Sequence, residues 1–281
     1  MKIIENQSFD NERALYESTD LQVISCKFTG NADGESALKE SKNIVAKNCY
    51  FNLRYPFWHD YNVQITECEM TNDCRAPIWY TKEVKIEDCK IDSVKALREC
   101  ENIFINNTTV NSSEFGWDCK DIFAQGSSFS SDYFMSRSKN LLFKNVKMTG
   151  KYSFQYIDNS VFENCYFDTK DAFWHAKNVT VKNSTIKGEY LGWYCEDVTF
   201  ENCTIIGTQP LCYCKNLTLI NCKMEGCDLS FERSTVTAEI NSHIDSIKNP
   251  LSGYIKALSV GEIINDYPDF DCKIDTGCGV L

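Results

Sequence analysis

Proline and glycine are scarce in this chain, with 5 and 13 in 281 residues. That excludes collagen-like and linker-rich readings. Histidine occurs 3 times, and there is no CxxC pair, phosphate-binding loop, zincin helix or serine-hydrolase elbow. No stretch approaches ~18 uninterrupted apolar residues, so no membrane-spanning helix is expected. The opening Met1–Gln7 carries neither an apolar core nor a small-residue cleavage site, which argues against a secretory signal and for the cytoplasm. Basic residues are in deficit, 29 against 40 acidic, giving a net charge of −11. Nucleic acid and anionic membrane surfaces are therefore disfavoured as partners. What the chain does have is a globular composition and an abundance of cysteine, 16 residues. In a short secreted chain that number would signal a disulfide scaffold, but this chain is neither short nor visibly secreted.

One pattern recurs along most of the sequence: Asn or Asp, apolar, any, apolar, any, often Asn, often Cys, any, apolar. Asn216-Leu217-Thr218-Leu219-Ile220-Asn221-Cys222-Lys223-Met224 is a clear copy, and Asp197–Ile205 and Asn62–Met70 are others. The second position of the pattern falls at 21, 44, 63, 84, 103, 122, 141, 160, 179, 198, 217 and 236, so the dominant spacing is 19 residues. A weaker opening copy fits Lys2, Ile4 and Phe9. A fixed period of this kind marks a solenoid.

Each copy holds two short stretches of period-2 alternation, such as Leu217/Leu219 and Cys222/Met224, preceded by a third apolar segment such as Tyr190–Tyr194. Three short strands per period with no helix-length segment predict an all-β fold, a single-stranded parallel β-helix with triangular coils. With rungs about 4.8 Å apart, about 12 or 13 coils would make a rod on the order of 60 Å long. The expectation is one domain over residues 1–281. Residues 1–20 form an N-terminal cap or first coil, 21–244 the regular coils and 245–281 a C-terminal cap, with loop insertions near Gly30–Gly34 and Asp73–Arg75. The position before each first apolar residue is nearly always Asn or Asp, and a second partial column runs through Asn48, Asn107, Asn145, Asn164, Asn183, Asn202 and Asn221. Both residue types tolerate a left-handed backbone and suit a tight corner repeated on every rung, where stacked amides can bond to each other. A leucine-rich repeat is the rival. It lacks its upstream Leu, since that column reads Asp60, Thr81, Cys100, Cys119, Ser138, Ile157, Ala176, Cys195 and Cys214.

The asparagine columns and three-strand coils resemble the right-handed parallel β-helix of the pectin-lyase-like superfamily. Asn178-Val179-Thr180-Val181 with Phe173-Trp174-His175, and the tail Gly253-Tyr254-Ile255-Lys256-Ala257 with Gly261-Glu262-Ile263-Ile264, are similar to an uncharacterised bacterial family of such proteins. The resemblance covers nearly the whole chain and implies the fold. The superfamily's lyases and hydrolases imply carbohydrate as a substrate class by analogy of fold. None of their catalytic motifs is present, so no catalytic residue is carried over.

The third strand bears the chemically interesting side chains. One column reads His59, Tyr80, Glu99, Asp118, Arg137, Tyr156, His175, Tyr194, Tyr213 and Glu232. If the segment alternates as a strand, the same side also carries Leu97, Gly116, Met135, Phe154 and Phe173, then Lys95, Glu114, Tyr133, Tyr152 and Asp171. Facing solvent, this side would form a shallow groove of rings and carboxylates suited to an oligosaccharide or a sugar-containing small molecule. His59, Tyr80, Tyr133, Tyr156, His175 and Tyr194 are its expected ligand contacts. Glu99 and Asp118 on neighbouring rungs are the candidate acid/base pair, since like charges that close push one pKa up and suit retaining glycoside hydrolysis. Arg137 completes the catalytic candidates: it would neutralise a carboxylate, or act as the base of a lyase only if its charge were exceptionally perturbed. The plainer alternative is a solvated ladder on a non-catalytic scaffold that binds a protein partner or associates with itself. The interleaved column Trp58, Trp79, Arg98, Trp117, Ser136, Gln155, Trp174, Trp193, Cys212 and Phe231 is expected to point inward, since a row of exposed indoles is a liability; pointing outward, it would be a ligand platform or partner interface.

Seven cysteines share one column (Cys26, Cys49, Cys68, Cys89, Cys165, Cys203, Cys222) and four another (Cys100, Cys119, Cys195, Cys214). Small apolar ladders of this kind fill a narrow core, and parallel Cβ vectors on neighbouring rungs disfavour disulfides. No metal or other cofactor is expected, the spacing of Cys195, Cys212 and Cys214 being a weak ligand signal. Any thiol chemistry belongs to Cys74, Cys212, Cys227, Cys272 and Cys278.

Overall fold

The computed structural model describes residues 1–30, 34–267 and 270–277. The chain is an all-β parallel solenoid of about 14 turns with a 19-residue period, close to the number of coils read from the repeat, and no helix occurs among the described residues. It divides into two compact units, Met1–Lys147 and Met148–Leu281.

In the first unit each turn opens with a six-residue strand, for example Thr19–Ile24, Lys42–Lys47, Tyr61–Thr66 and Lys82–Glu87. These strands pair in parallel, and the register sets Leu21, Ile44, Val63, Val84, Ile103, Ile122 and Leu141 side by side. The apolar positions spaced along the sequence are thus one buried column, because a parallel ladder in register turns periodicity into stacking. A second, shorter ladder follows through Lys27–Thr29, Tyr50–Asn52, Glu69–Met70 and Lys90–Ser93. A third holds only Phe57–Trp58, Ile78–Trp79 and Leu97–Arg98. Phenylalanines fill the core between the ladders: Phe9, Phe28 and Phe51 stack at 5.1 and 4.9 Å. The insertion near Gly30–Gly34 falls partly on residues 31–33, outside the described residues.

The second unit repeats the plan through Asp158–Glu163, Lys177–Lys182, Glu196–Glu201 and Leu217–Glu225. Beyond residue 245 the ladder continues. Thr235–Lys248 pairs with Ser252–Ile264, and that strand pairs with Asp271–Thr276.

The coils turn at left-handed residues. Both asparagine columns have φ between +47° and +58° at their Asn positions, and so do the Asp and Glu residues that share those corners. Stacked amides bond from rung to rung as expected. Asn62 Nδ2 donates to Asn43 Oδ1 at 2.9 Å in the first unit, and Asn221 Nδ2 to Asn202 Oδ1 at 2.6 Å in the second.

A left-handed corner aims the next backbone N–H into the core, where a partner is obligatory. The cysteine column supplies it. In the first unit Cys49 N–H donates to Cys68 Sγ (3.3 Å), Cys68 N–H to Cys89 Sγ (3.4 Å), Cys89 N–H to Thr108 Oγ1 (3.3 Å) and Thr108 N–H to Ser127 Oγ (3.0 Å). Each thiol donates in turn to the carbonyl two residues before it, as Cys68 does to Thr66 at 3.2 Å. In the second unit Cys165 N–H donates to Ser184 Oγ at 2.9 Å. The column is a hydrogen-bonding ladder as well as core packing. Cys68→Val keeps the volume but removes the acceptor, and is expected to cost about 1–3 kcal/mol of unfolding free energy. Cys68→Ser should cost less. Urea denaturation of both variants measures the difference, and equal losses would show that packing alone matters.

The second corner repeats the device with one anomaly. Ser41 N–H donates to Asp60 Oδ1 (2.8 Å), Cys100 N–H to Cys119 Sγ (3.4 Å) and Cys119 N–H to Ser138 Oγ (2.9 Å). Asp60 is 2 % exposed, and its Oδ2 has no hydrogen-bond partner. Burial is the largest influence on its carboxyl and raises the pKa to about 8, against the pull of the two backbone N–H groups. The unfolded chain releases this proton near pH 4 and the folded chain near pH 8. Between those values folding takes up a proton, so stability falls as pH rises through the window, by up to about 1.4 kcal/mol per pH unit. Asp60→Ser, which copies Ser41, should flatten that slope between pH 5 and 8. Unfolding curves of wild type and variant that run parallel across the range would refute the assignment.

Candidate functional site

The third side of the coil is where the sequence expectation needs correcting. Leu97, Met135, Phe154 and Phe173 are wholly buried and do not share a face with the His59 column. The reason is backbone conformation. Tyr133, Met135 and Arg137 all have φ near +55°, as do Tyr152, Phe154 and Tyr156, then Asp171, Phe173 and His175. Left-handed residues at alternate positions wind the segment into a turn, where the two-residue alternation of a strand no longer holds. Gly116 (φ +77°) occupies one such position, and a Cβ there would meet Met135 Sδ at 2.2 Å.

The interleaved column is corrected in part: Ser136, Cys212 and Phe231 are interior as expected, but the indoles are not. Trp58, Trp79, Trp117, Trp174 and Trp193 are half-buried, not interior. Each indole N–H needs an acceptor, and four find one on the neighbouring turn: Trp79 Nε1 donates to Lys95 O (2.7 Å), Trp117 to Tyr133 O (2.8 Å), Trp174 to Tyr190 O (2.7 Å) and Trp193 to Gln209 O (2.8 Å). The rings thereby lie along the outside of the turn, beside the His59 column.

In the first unit this wall is a continuous stack. Trp58 and Trp79 lie 5.2 Å apart, and the Arg98 guanidinium sits 5.2 Å from the Trp79 ring and 5.4 Å from Trp117. Arg137 sits 5.2 Å from Trp117. His59 stacks on Tyr80 at 4.7 Å. The proposed acid/base trio does lie on adjacent rungs, but its charges are engaged. Arg137 grips Asp118 bidentately, Nε to Oδ1 at 2.8 Å and Nη2 to Oδ2 at 2.7 Å, which raises the Arg137 pKa further. Glu99 Oε1 stands 3.6 Å from Arg98 Nε, an ion-pair distance too long for a hydrogen bond. Tyr133 is exposed at the edge of the wall and packs against Trp117 at 6.0 Å.

In the second unit Tyr156, His175, Tyr194 and Tyr213 form a near-parallel ring column, with centroids 4.8, 5.0 and 5.0 Å apart and planes within 15°. Trp174 and Trp193 stack beside it at 5.4 Å and 5°. Burial lowers the His175 pKa. The Tyr213 hydroxyl donates to Glu232 Oε2 at 3.4 Å, and Glu232 Oε1 meets Lys248 at 3.2 Å. Because the rings cover one another's faces, the column presents its edges outward: phenol oxygens and imidazole nitrogens.

The thiols are spoken for. Cys195 and Cys214 donate to Phe173 O and Gly192 O, both at 2.9 Å, and Cys212 lies 3.6–3.7 Å from three carbonyls. Burial pushes the Cys74, Cys212 and Cys227 thiols up to about 12. Cys272 is half-buried and free, and Cys278 lies outside the described residues. Among the described residues no group of three His, Cys, Asp or Glu side chains is placed to hold a metal ion. Sequence reasoning missed Arg98 as a site residue. Its signal was the single cation in a column otherwise rich in Trp.

Comparison with solved structures finds the same architecture. A surface adhesin of Streptococcus pneumoniae, PfbA, matches over 86% of this chain and 82% of its own, at 7% identity and a TM-score of 0.52. The catalytic domain of a GH87 alpha-1,3-glucanase, in complex with tetrasaccharides, matches over 99% of this chain and 62% of its own, at 10% identity and a TM-score of 0.31. A tailspike protein of bacteriophage CBA120 matches over 99% and 52%, at 9% identity and 0.28. At these identities the likeness to the adhesin is one of fold, and the other two superpose less well. No curated protein matches. Residues 2–275 match a single family model, and the chain belongs to that family, described as a protein of unknown function (DUF3737).

Proposed function

We propose that the protein is a binding module whose outer aromatic wall takes an oligosaccharide or a sugar-containing small molecule. The observation that carries this reading is the row His59, Tyr80, Glu99, Asp118 and Arg137, set outward on successive rungs of the first unit, with the His59 and Tyr80 rings 4.7 Å apart. A ring nitrogen, a phenol, carboxylates and a guanidinium repeat along one line, and a hydroxyl-rich chain laid along it meets a donor or acceptor on each rung. Contact is through ring edges, because neighbouring rings occupy the faces. The same geometry supports binding over hydrolysis: Asp118 is held by Arg137 in a bidentate pair, whereas a retaining mechanism needs two free carboxyls about 5 Å apart. A ligand held in the cytoplasm, such as an oligosaccharide or a nucleotide sugar, suits the sequence expectation for the compartment.

One observation favours the second reading, a non-catalytic scaffold. The Tyr156–Tyr213 column is stacked so closely in plane that it serves as a spine for the turns. Glycan-array binding of the whole protein separates the two. The sugar reading expects wild type to retain at least one glycan class, His59→Ala/Tyr80→Ala to lose it, and no shortened product to appear. An array blank for wild type removes the sugar ligand and leaves the scaffold. Product release abolished by Glu99→Ala/Asp118→Ala would restore catalysis.

A further inference from the structure

Arg98 differs from its neighbouring cations on the first unit's outer wall. Arg54 pairs with Glu35 at 2.9 Å, Lys95 with Glu114 at 3.4 Å and Arg137 with Asp118 at 2.7 Å. The Arg98 guanidinium makes no hydrogen bond to any described residue. Its Nε is buried without a partner, and its nearest carboxylate oxygen is Glu99 Oε1 at 3.6 Å. A buried, unsatisfied donor of this kind needs an explanation.

The surroundings give one. The guanidinium is held between two indoles, 5.2 Å from Trp79 and 5.4 Å from Trp117, within the range of ~6 Å over which ring faces attract a cation. Both indoles are themselves pinned by their N–H bonds to Lys95 O and Tyr133 O. With both faces of the guanidinium covered and Nε buried, the open edge is that of the two terminal Nη groups, on a side chain 27% exposed overall. A planar edge of paired N–H groups matches two oxygens of a carboxylate or phosphate. Asp118 is neutralised by Arg137, so Glu99, at ion-pair distance from Arg98 but not hydrogen-bonded to it, is the carboxylate that faces the site.

We propose that Arg98, clamped between Trp79 and Trp117, anchors an oxyanion site that takes a carboxylate or phosphate group edge-on, with Glu99 as its internal competitor. The site does not require the ligand to be a sugar, so a blank glycan array leaves it standing.

The test is titration of the whole protein with inorganic phosphate and, separately, acetate at constant ionic strength. Binding is followed by tryptophan fluorescence and by the NMR shift of the Arg98 Nε–H. Saturable binding is expected for at least one anion. Phosphate alone assigns a phosphate ligand, and acetate assigns a carboxylate. Arg98→Lys keeps the charge but not the paired edge, and should weaken binding at least about tenfold. Glu99→Gln removes the competitor and should tighten it several-fold. Absence of saturation with both anions overturns the proposal. So does an unchanged affinity in Arg98→Lys, or an unchanged or weaker one in Glu99→Gln. Should Arg98→Lys fail to fold, Glu99→Gln, at an exposed position, still decides.

Discussion

The fold depends on feeding the backbone N–H groups that its corners drive inward. A 19-residue coil can close only if the chain turns sharply, and it turns through left-handed residues at the same places on every rung. The corners before Ser41, Cys49, Cys68 and Cys100, among others, point an N–H at the core, where no water can reach it. An unbonded N–H at every corner would cost the fold more than its whole stability margin. The remedy is a side chain one rung away, short enough to stay in column and able to accept: Cys68 for Cys49, Thr108 for Cys89, Ser127 for Thr108. Sulfur suits the task because it also packs as a small apolar group, and the neighbouring Phe28 and Phe51 rings leave little room for more. The cysteines of these columns are thus accounted for by packing and hydrogen bonding. Cysteine, serine and threonine are interchangeable acceptors in one structural role.

The outer wall follows from the same geometry. The left-handed residues of the His59 column carry their side chains on the outside of the turn, and a parallel register sets like residues above one another. Rings on successive rungs then stack whether or not a ligand is present. Stacking fixes the indoles and phenols, but it also uses their faces. A wall built in this way recognises through edges and through whatever interrupts the stack.

Much of this was legible in the sequence. The period of 19, the Asn columns and the alternation of Leu217 and Leu219 state a parallel solenoid directly, because register in a repeat is arithmetic. The side of the third segment was not legible. A period-2 reading put Phe154 and Phe173 with Tyr156 and His175, yet the first pair is in the core and the second on the wall. Alternate left-handed φ values at non-glycine residues reverse the facing, and nothing in the side chains Tyr152-Ser153-Phe154-Gln155-Tyr156 announces them. The Trp column failed for a related reason. Indole looks like core by hydrophobicity, but its N–H found a carbonyl on the surface of the next turn. The candidate carboxylates were placed correctly in line, but their ion-pair partners depend on rotamers that spacing does not specify.

A repeat protein supplies its own controls, and the two exceptions in this one are instructive together. Among the described residues only two buried side-chain atoms lack a partner, Asp60 Oδ2 and Arg98 Nε. Asp60 breaks a column of Ser, Thr and Cys, but it still does that column's work, since Oδ1 accepts the Ser41 N–H as a hydroxyl would. Its spare oxygen is the residue of a substitution that is too large for the role, and the raised pKa follows from it. Arg98 breaks a column rich in Trp and does none of that column's work in the same sense. It donates nothing to the next turn, whereas Trp79 and Trp117 on either side of it do. The flanking indoles attract the cation by their faces but leave its N–H groups unsatisfied, whereas a third indole would continue the stack and bond its own N–H. The unspent donors of Arg98 are what the proposed oxyanion would satisfy, while the spare acceptor of Asp60 belongs to the fold.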